Sequence, residues 1–130
     1  MSYGQWMVVG VLATWMTTVT SAEVRRYDGP GPVEIHVHAK AKTHHDTSLK
    51  DTFRKHFYPA ISKQEGFLHC DLLSSPKQQR TYVVTIAFES EDLRVKWANS
   101  PLHQEVWPKM QGNFEEGSLS IEAFGLVSPK

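Results

Sequence analysis

Seven histidines in 130 residues are the first side chains to question, because imidazole changes charge near neutral pH. Two of them, His36 and His38, flank Val37. On an extended strand their rings leave the same face, roughly 6.5–7 Å apart along the chain. An H-x-H pair can fill two metal positions, with His69 or His103 as a third ligand and Glu34 or Glu122 as a carboxylate. It can also act as an acid–base couple in a pocket, or lie hydrogen-bonded on the second face of a sheet. The last reading is preferred, and the spacing by itself assigns no metal.

Trp97, Asn99, His103 and Trp107 form a second constellation. His103 and Trp107 are four apart and share one helical face. Aromatic walls with one imidazole and one carboxamide suit a flat aromatic molecule. The rings supply area, while His103 and Asn99 fix a hydroxyl or a carbonyl. The competing reading makes Trp97 a core anchor and His103 a helix-start residue facing water. His44-His45-Asp46 reads as a solvated loop, and His56 as a residue that can turn inward beside Tyr58. Cys70 reads as a small buried residue, because nothing electropositive can be placed beside it. No P-loop, dinucleotide GxGxxG, HExxH or GxSxG pattern occurs, so no nucleotide or flavin cofactor is expected.

These groups need elements to hold them. Val33 to Lys42 alternates strictly, with Val33, Ile35, Val37, Ala39 and Ala41 on one face and Glu34, His36, His38, Lys40 and Lys42 on the other. That is a strand between two different environments. Leu49, Phe53, His56, Phe57, Ala60 and Ile61 then recur at helical spacing, with Asp46, Thr47 or Ser48 as the N-cap, Pro59 as a kink and Gly66 as the stop. Phe67–Leu73 and Thr81–Glu89 are a second and a third strand. The third is apolar on both faces and therefore central. Ser90 can cap a short helix with Glu91 and Asp92 in its first turn. Ser100-Pro101 starts another helix carrying Leu102, Val106, Met110 and Phe114. Ser118–Val127 is the last strand. The order is β-α-β-β-α-β with the second helix split, a ferredoxin-like α+β fold with a four-stranded antiparallel sheet. Helices on one face leave the other needing a cover, which a second copy can supply.

The whole chain has 14 basic and 14 acidic side chains. That balance, without any basic block, argues against a nucleic-acid partner. One cysteine excludes an internal disulfide framework. Residues 1–22 hold no charged side chain. Trp6–Met16 is too short for a transmembrane helix but fits a signal-peptide core ending at Thr20-Ser21-Ala22. A hydrophobic segment of residues 6–20 retained as an anchor is the alternative, and the only route to a membrane. Cleavage places the protein outside the cytoplasm; retention without export leaves it cytoplasmic. Residues 23–32 form a Pro/Gly linker, and residues 33–127 the folded domain.

Ala87-Phe88-Glu89-Ser90-Glu91-Asp92-Leu93, followed by Trp97-Ala98-Asn99-Ser100-Pro101-Leu102-His103, resembles the antibiotic biosynthesis monooxygenase (ABM) domain. Gln64-Glu65-Gly66-Phe67 resembles the family's approach to its second strand. The likeness spans about Val33 to Val127. It implies a dimeric α/β barrel with a mostly apolar cavity in each subunit. Some members oxidise aromatic polyketides of secondary metabolism with dioxygen and no cofactor; others degrade haem or isomerise a small phosphorylated signal. Haem-degrading relatives use an asparagine on the first strand, a tryptophan ending the third and a histidine in the last helix. This chain has His36 or His38, Phe88 and His103 there, so that pattern is not met.

The expectation is therefore a homodimeric, cofactor-independent monooxygenase acting on an aromatic phenol or anthrone. His103 is the first choice of base, with a pKa near neutrality, and His38 the second. Trp97, Asn99, His36, Phe88 and Trp107 are the substrate contacts. Two rivals share the fold: a non-catalytic binder of an apolar compound, and an isomerase or cyclase.

Overall fold

The computed structural model describes residues 25–128; the apolar segment 1–22 read above as a signal peptide or anchor lies outside them. Strand β1 (Val33–Lys40) is followed by helix α1 (Asp46–Thr52), a π-helical turn (Phe53–Phe57) and helix α2 (Tyr58–Ile61). Strands β2 (Phe67–Ser74) and β3 (Thr81–Phe88) come next, then helices α3 (Glu91–Ala98) and α4 (Pro101–Gln111), and strand β4 (Ser120–Gly125). The sheet is antiparallel with order β2-β3-β1-β4. This is the ferredoxin-like α+β arrangement. Among the described residues no helix is long and apolar enough to cross a membrane.

The alternation in β1 decides which side is core. Val33, Ile35, Val37 and Ala39 are buried, while Glu34, His36, His38 and Lys40 between them are not. Beneath the helices these residues meet Leu49, Phe57, Ile61, Trp97, Val106 and Met110. Each large aliphatic or aromatic side chain so removed from water contributes about 1.5–3 kcal/mol before chain entropy is subtracted. Gly66 adopts a left-handed φ of 81° where a Cβ would lie 2.4 Å from Leu93 Cδ1, so both turn and packing demand glycine.

Several local expectations change. Helix α1 has no side-chain cap; its preceding residue is His45, and the Asp46 carboxylate instead accepts the Tyr82 hydroxyl at 2.5 Å. Proline lacks an N–H and crowds the carbonyl four residues back. The chain here widens to π geometry just before Pro59, and helix continues to Ile61. The wider turn shifts the helical phase, leaving His56 exposed and Phe57 fully buried. On α4, Leu102 stays about one third exposed, at 36%; Phe114 lies beyond the helix, bridging to Ala41. Strand β4 is shorter than expected at both ends.

Residues 25–32, read as a linker, have no helix or strand but are fastened to the domain. The Arg26 and Tyr27 N–H groups donate to Glu91 Oε2 at 2.5 and 3.2 Å. Tyr27 packs against the core, so close to Gly125 that a Cβ there would meet its hydroxyl.

Candidate functional site

The joint between α3 and α4 builds the first site. Ser100 caps α4, and its hydroxyl has two partners. It donates to the Trp97 carbonyl at 2.7 Å and accepts the His103 N–H at 3.1 Å. One serine thus sets both the end of α3 and the start of α4. The Trp97 ring meets His103 edge-on at 5.1 Å between centroids, and Trp107, one turn further along α4, stacks on it at 6.1 Å. Phe57 closes the inner side, 6.0 Å from Trp97 and 5.7 Å from Trp107.

This enclosure governs the imidazole. Burial pushes the His103 pKa down to about 4, and the positive charge of Arg94 adds to the effect. The ring is neutral at pH 7, not poised near neutrality as the sequence suggested. Its Nδ1 is buried without a hydrogen-bond partner among the described residues. Arg94 is itself buried and grips Glu91 through two bonds of 2.7 and 2.8 Å. Burial alone would raise the Glu91 carboxyl, but bonds from Arg94 and from the Arg26 N–H outweigh it and hold the group below its usual range.

His36 and His38 lie on the opposite face of the sheet. Across the strands His36 sits level with Thr85 on β3 and Glu122 on β4. Its Nε2 meets Glu34 Oε2 at 2.7 Å, and the same carboxylate takes His69 Nε2 at 3.1 Å. His38 pairs with Glu122 at 3.0 Å. Asp71 lies 3.5 Å from His69 Nδ1, and Phe124 packs beside His36 at 5.0 Å between centroids. No group of three or more metal-binding side chains gathers among the described residues.

The expected site residues therefore divide. His103, Trp97 and Trp107 come together. Asn99 is exposed at the C-cap of α3, directed away because the α3–α4 joint turns there. Phe88 is fully buried at the end of β3 and packs edge-on against Phe67. His36 and His38 are separated from His103 by the sheet itself. Sequence reading missed Phe57 and the Glu91–Arg94 pair as parts of the His103 surroundings. The i,i+3 spacing of opposite charges was a visible signal for the pair. Cys70 is buried, and desolvation raises its pKa to about 12. That leaves an unreactive thiol.

A cleft of about 380 Å³ is lined by Lys50, Phe53, Arg54, Tyr58, Asp71 and Leu72, and by none of His103, Trp97 or Trp107. Phe53, on the cleft wall, stacks on Phe57 at 6.2 Å, and Phe57 in turn meets both tryptophans. A second cleft of about 520 Å³, lined by Thr47, Ser48, Lys55, His56 and neighbours, is polar and open.

Compared with known proteins, residues 32–108 match the family model described as antibiotic biosynthesis monooxygenase. The fold is similar to that of a Caulobacter crescentus protein given the same family description, at 16% identity and a TM-score of 0.67, covering 76% of this chain and 92% of that one. It is also similar to SnoaB, a cofactor-independent oxygenase from Streptomyces nogalater (12% identity, TM-score 0.65, 75% and 95% covered). A haem-degrading protein from Mycobacterium tuberculosis aligns at 23% identity and a TM-score of 0.57, with 76% and 98% covered. These likenesses speak to the fold. No curated protein matches by sequence.

Proposed function

Given that this chain belongs to the antibiotic biosynthesis monooxygenase family, we propose that it is a small-molecule enzyme oxidising an electron-rich aromatic with dioxygen. The observation that carries the reading is His103: a neutral imidazole with an unbonded buried nitrogen, walled by Trp97 and Trp107. A flat phenol or anthrone reaching the tryptophans past Phe53 and Phe57 offers its acidic proton to that nitrogen. Burial makes the lone imidazole a weak base. The substrate anion offsets this, because opposite charges formed together in an apolar site attract strongly. The anion then reduces dioxygen. One oxygen atom enters the product as a new carbonyl, and the other leaves as water with the two hydrogens that the substrate loses, the one held by His103 included.

Two copies of the chain are inferred to pack sheet against sheet, since the face opposite the helices is uncovered and exposes Leu73 and Phe124. The test is oxygen uptake with anthrones and naphthols. A positioned base contributes roughly 10²–10⁴-fold, so His103→Ala and His103→Gln should lower kcat/KM by about that factor. A loss below about tenfold in both would make His103 structural. Saturable binding without oxygen uptake would favour the carrier, and conversion without uptake the isomerase.

A further inference from the structure

The cleft of about 380 Å³ carries charged groups that the chemistry at His103 leaves unused, and its two walls differ in kind. The helical wall brings Lys50, Phe53, Arg54 and Tyr58, and the β2 wall brings Asp71 and Leu72. Small-molecule sites typically enclose roughly 300–1,000 Å³, so the cleft has room for a bicyclic compound. Part of the helical wall is the π-helical turn that begins at Phe53, a geometry frequently found at functional sites.

Two rings set the shape. Phe53 stacks on Phe57 at 6.2 Å and meets Tyr58 at a tilt, 6.1 Å between centroids. Tyr58 is met edge-on by Phe67, also at 6.1 Å, yet stays 42% exposed. Rings braced in this way lose little freedom when a flat molecule covers them. Leu72 supplies apolar cover from the other wall. Charge sets the rest. Arg54 is already paired with Asp51 at 2.8 Å, whereas Lys50 makes no ion pair among the described residues. An acid lying on the rings therefore finds an ammonium able to receive it. Asp71, on the other wall, keeps its side chain 63% exposed. It repels a second negative charge and can accept a hydroxyl.

We propose that this cleft is a binding site for a flat aromatic compound bearing one carboxylate, the ring against Phe53 and Tyr58 and the carboxylate on Lys50. The site is separate from the His103 cluster and does not depend on the oxidation proposed there.

Isothermal titration calorimetry of the full chain with naphthoate, naphthamide and naphthalene dicarboxylate tests it. Naphthoate should saturate a single site below about 1 mM. It should bind about three- to fivefold tighter than the uncharged amide, the size of an ion pair that still meets water. Lys50→Gln should abolish that preference and leave the amide unchanged. The dicarboxylate should bind more weakly than naphthoate, and Asp71→Asn should recover about threefold of its affinity. Phe53→Ala should weaken all three ligands about tenfold. An acid that binds no tighter than the amide, or a preference that survives in Lys50→Gln, overturns the role of the ammonium. A dicarboxylate that matches naphthoate in the parent overturns the choice of a single carboxylate. Unchanged binding in a folded Phe53→Ala overturns the location, and Lys50→Gln, at an exposed position, decides the proposal even if that variant does not fold. No saturable binding of any of the three overturns the site. None of these results bears on oxygen uptake, and absent uptake leaves them standing.

Discussion

The two faces of one sheet treat the same side chain in opposite ways. Beneath the helices, His103 is wrapped in aromatic rings, has a cation nearby and meets no carboxylate among the described residues, so the charged form is costly. On the open face, His36, His38 and His69 each touch a carboxylate and keep contact with water. Packing decides the first environment and solvent the second. The comparison teaches that histidine content says little until each ring is assigned a face.

The contrast is broken most severely by removing an aromatic from each side. Trp97→Ala should cost about 3–5 kcal/mol in denaturant unfolding, the range for a large buried ring, since Trp97 is 2% exposed and contacts Phe57 and His103. Phe124→Ala on the open face should cost under about 1 kcal/mol in the monomer, because nearly half of that ring already meets water.

Acid separates the faces next. Unfolded histidine titrates near 6.5, whereas folded His103 does so near 4. Between those values the unfolded chain binds more protons, so stability is full above about pH 6.5 and falls as the pH drops toward 4. The loss from this group amounts to about 3 kcal/mol. Urea titrations at pH 7 and pH 4 should show that difference shrink in His103→Leu relative to the parent.

The joint itself is a smaller lever. Ser100→Ala removes the hydroxyl shared by Trp97 and His103 and should cost about 1 kcal/mol, typical of a lost cap. Any oxygen uptake should fall with it, whereas Ser75→Ala in the β2–β3 turn should leave uptake unchanged. The smallest signal belongs to Cys70. Its thiol, pushed up to about 12 by burial, should resist a disulfide reagent in the folded protein and react fully once unfolded.

Much of the frame was legible because short-range rules set it. The alternation of Val33 to Lys40 told the core face from the open face, and Ser90 and Ser100 cap the two helices expected of them. Where a residue's role depended on what lay across the fold, legibility ended. Asp46 looked like a cap and serves Tyr82 instead. His56 followed the helical period, but the π-helical turn before Pro59 rotated it into solvent. Asn99 belonged to the candidate pocket by adjacency, yet the joint points it outward.

By itself, the sequence determined the element order, the buried stripe of β1 and the pairing of His103 with Trp107, since all three follow from periodicities of about 2 and 3.6 residues. Tertiary structure alone decided that His36 and His38 never meet His103, that Glu34 binds two imidazoles at once, and that Arg94 and Phe57 shape the buried ring. The reason is physical: periodicity says which way a side chain leaves its own element, but hydration and charge depend on neighbours brought from distant parts of the chain.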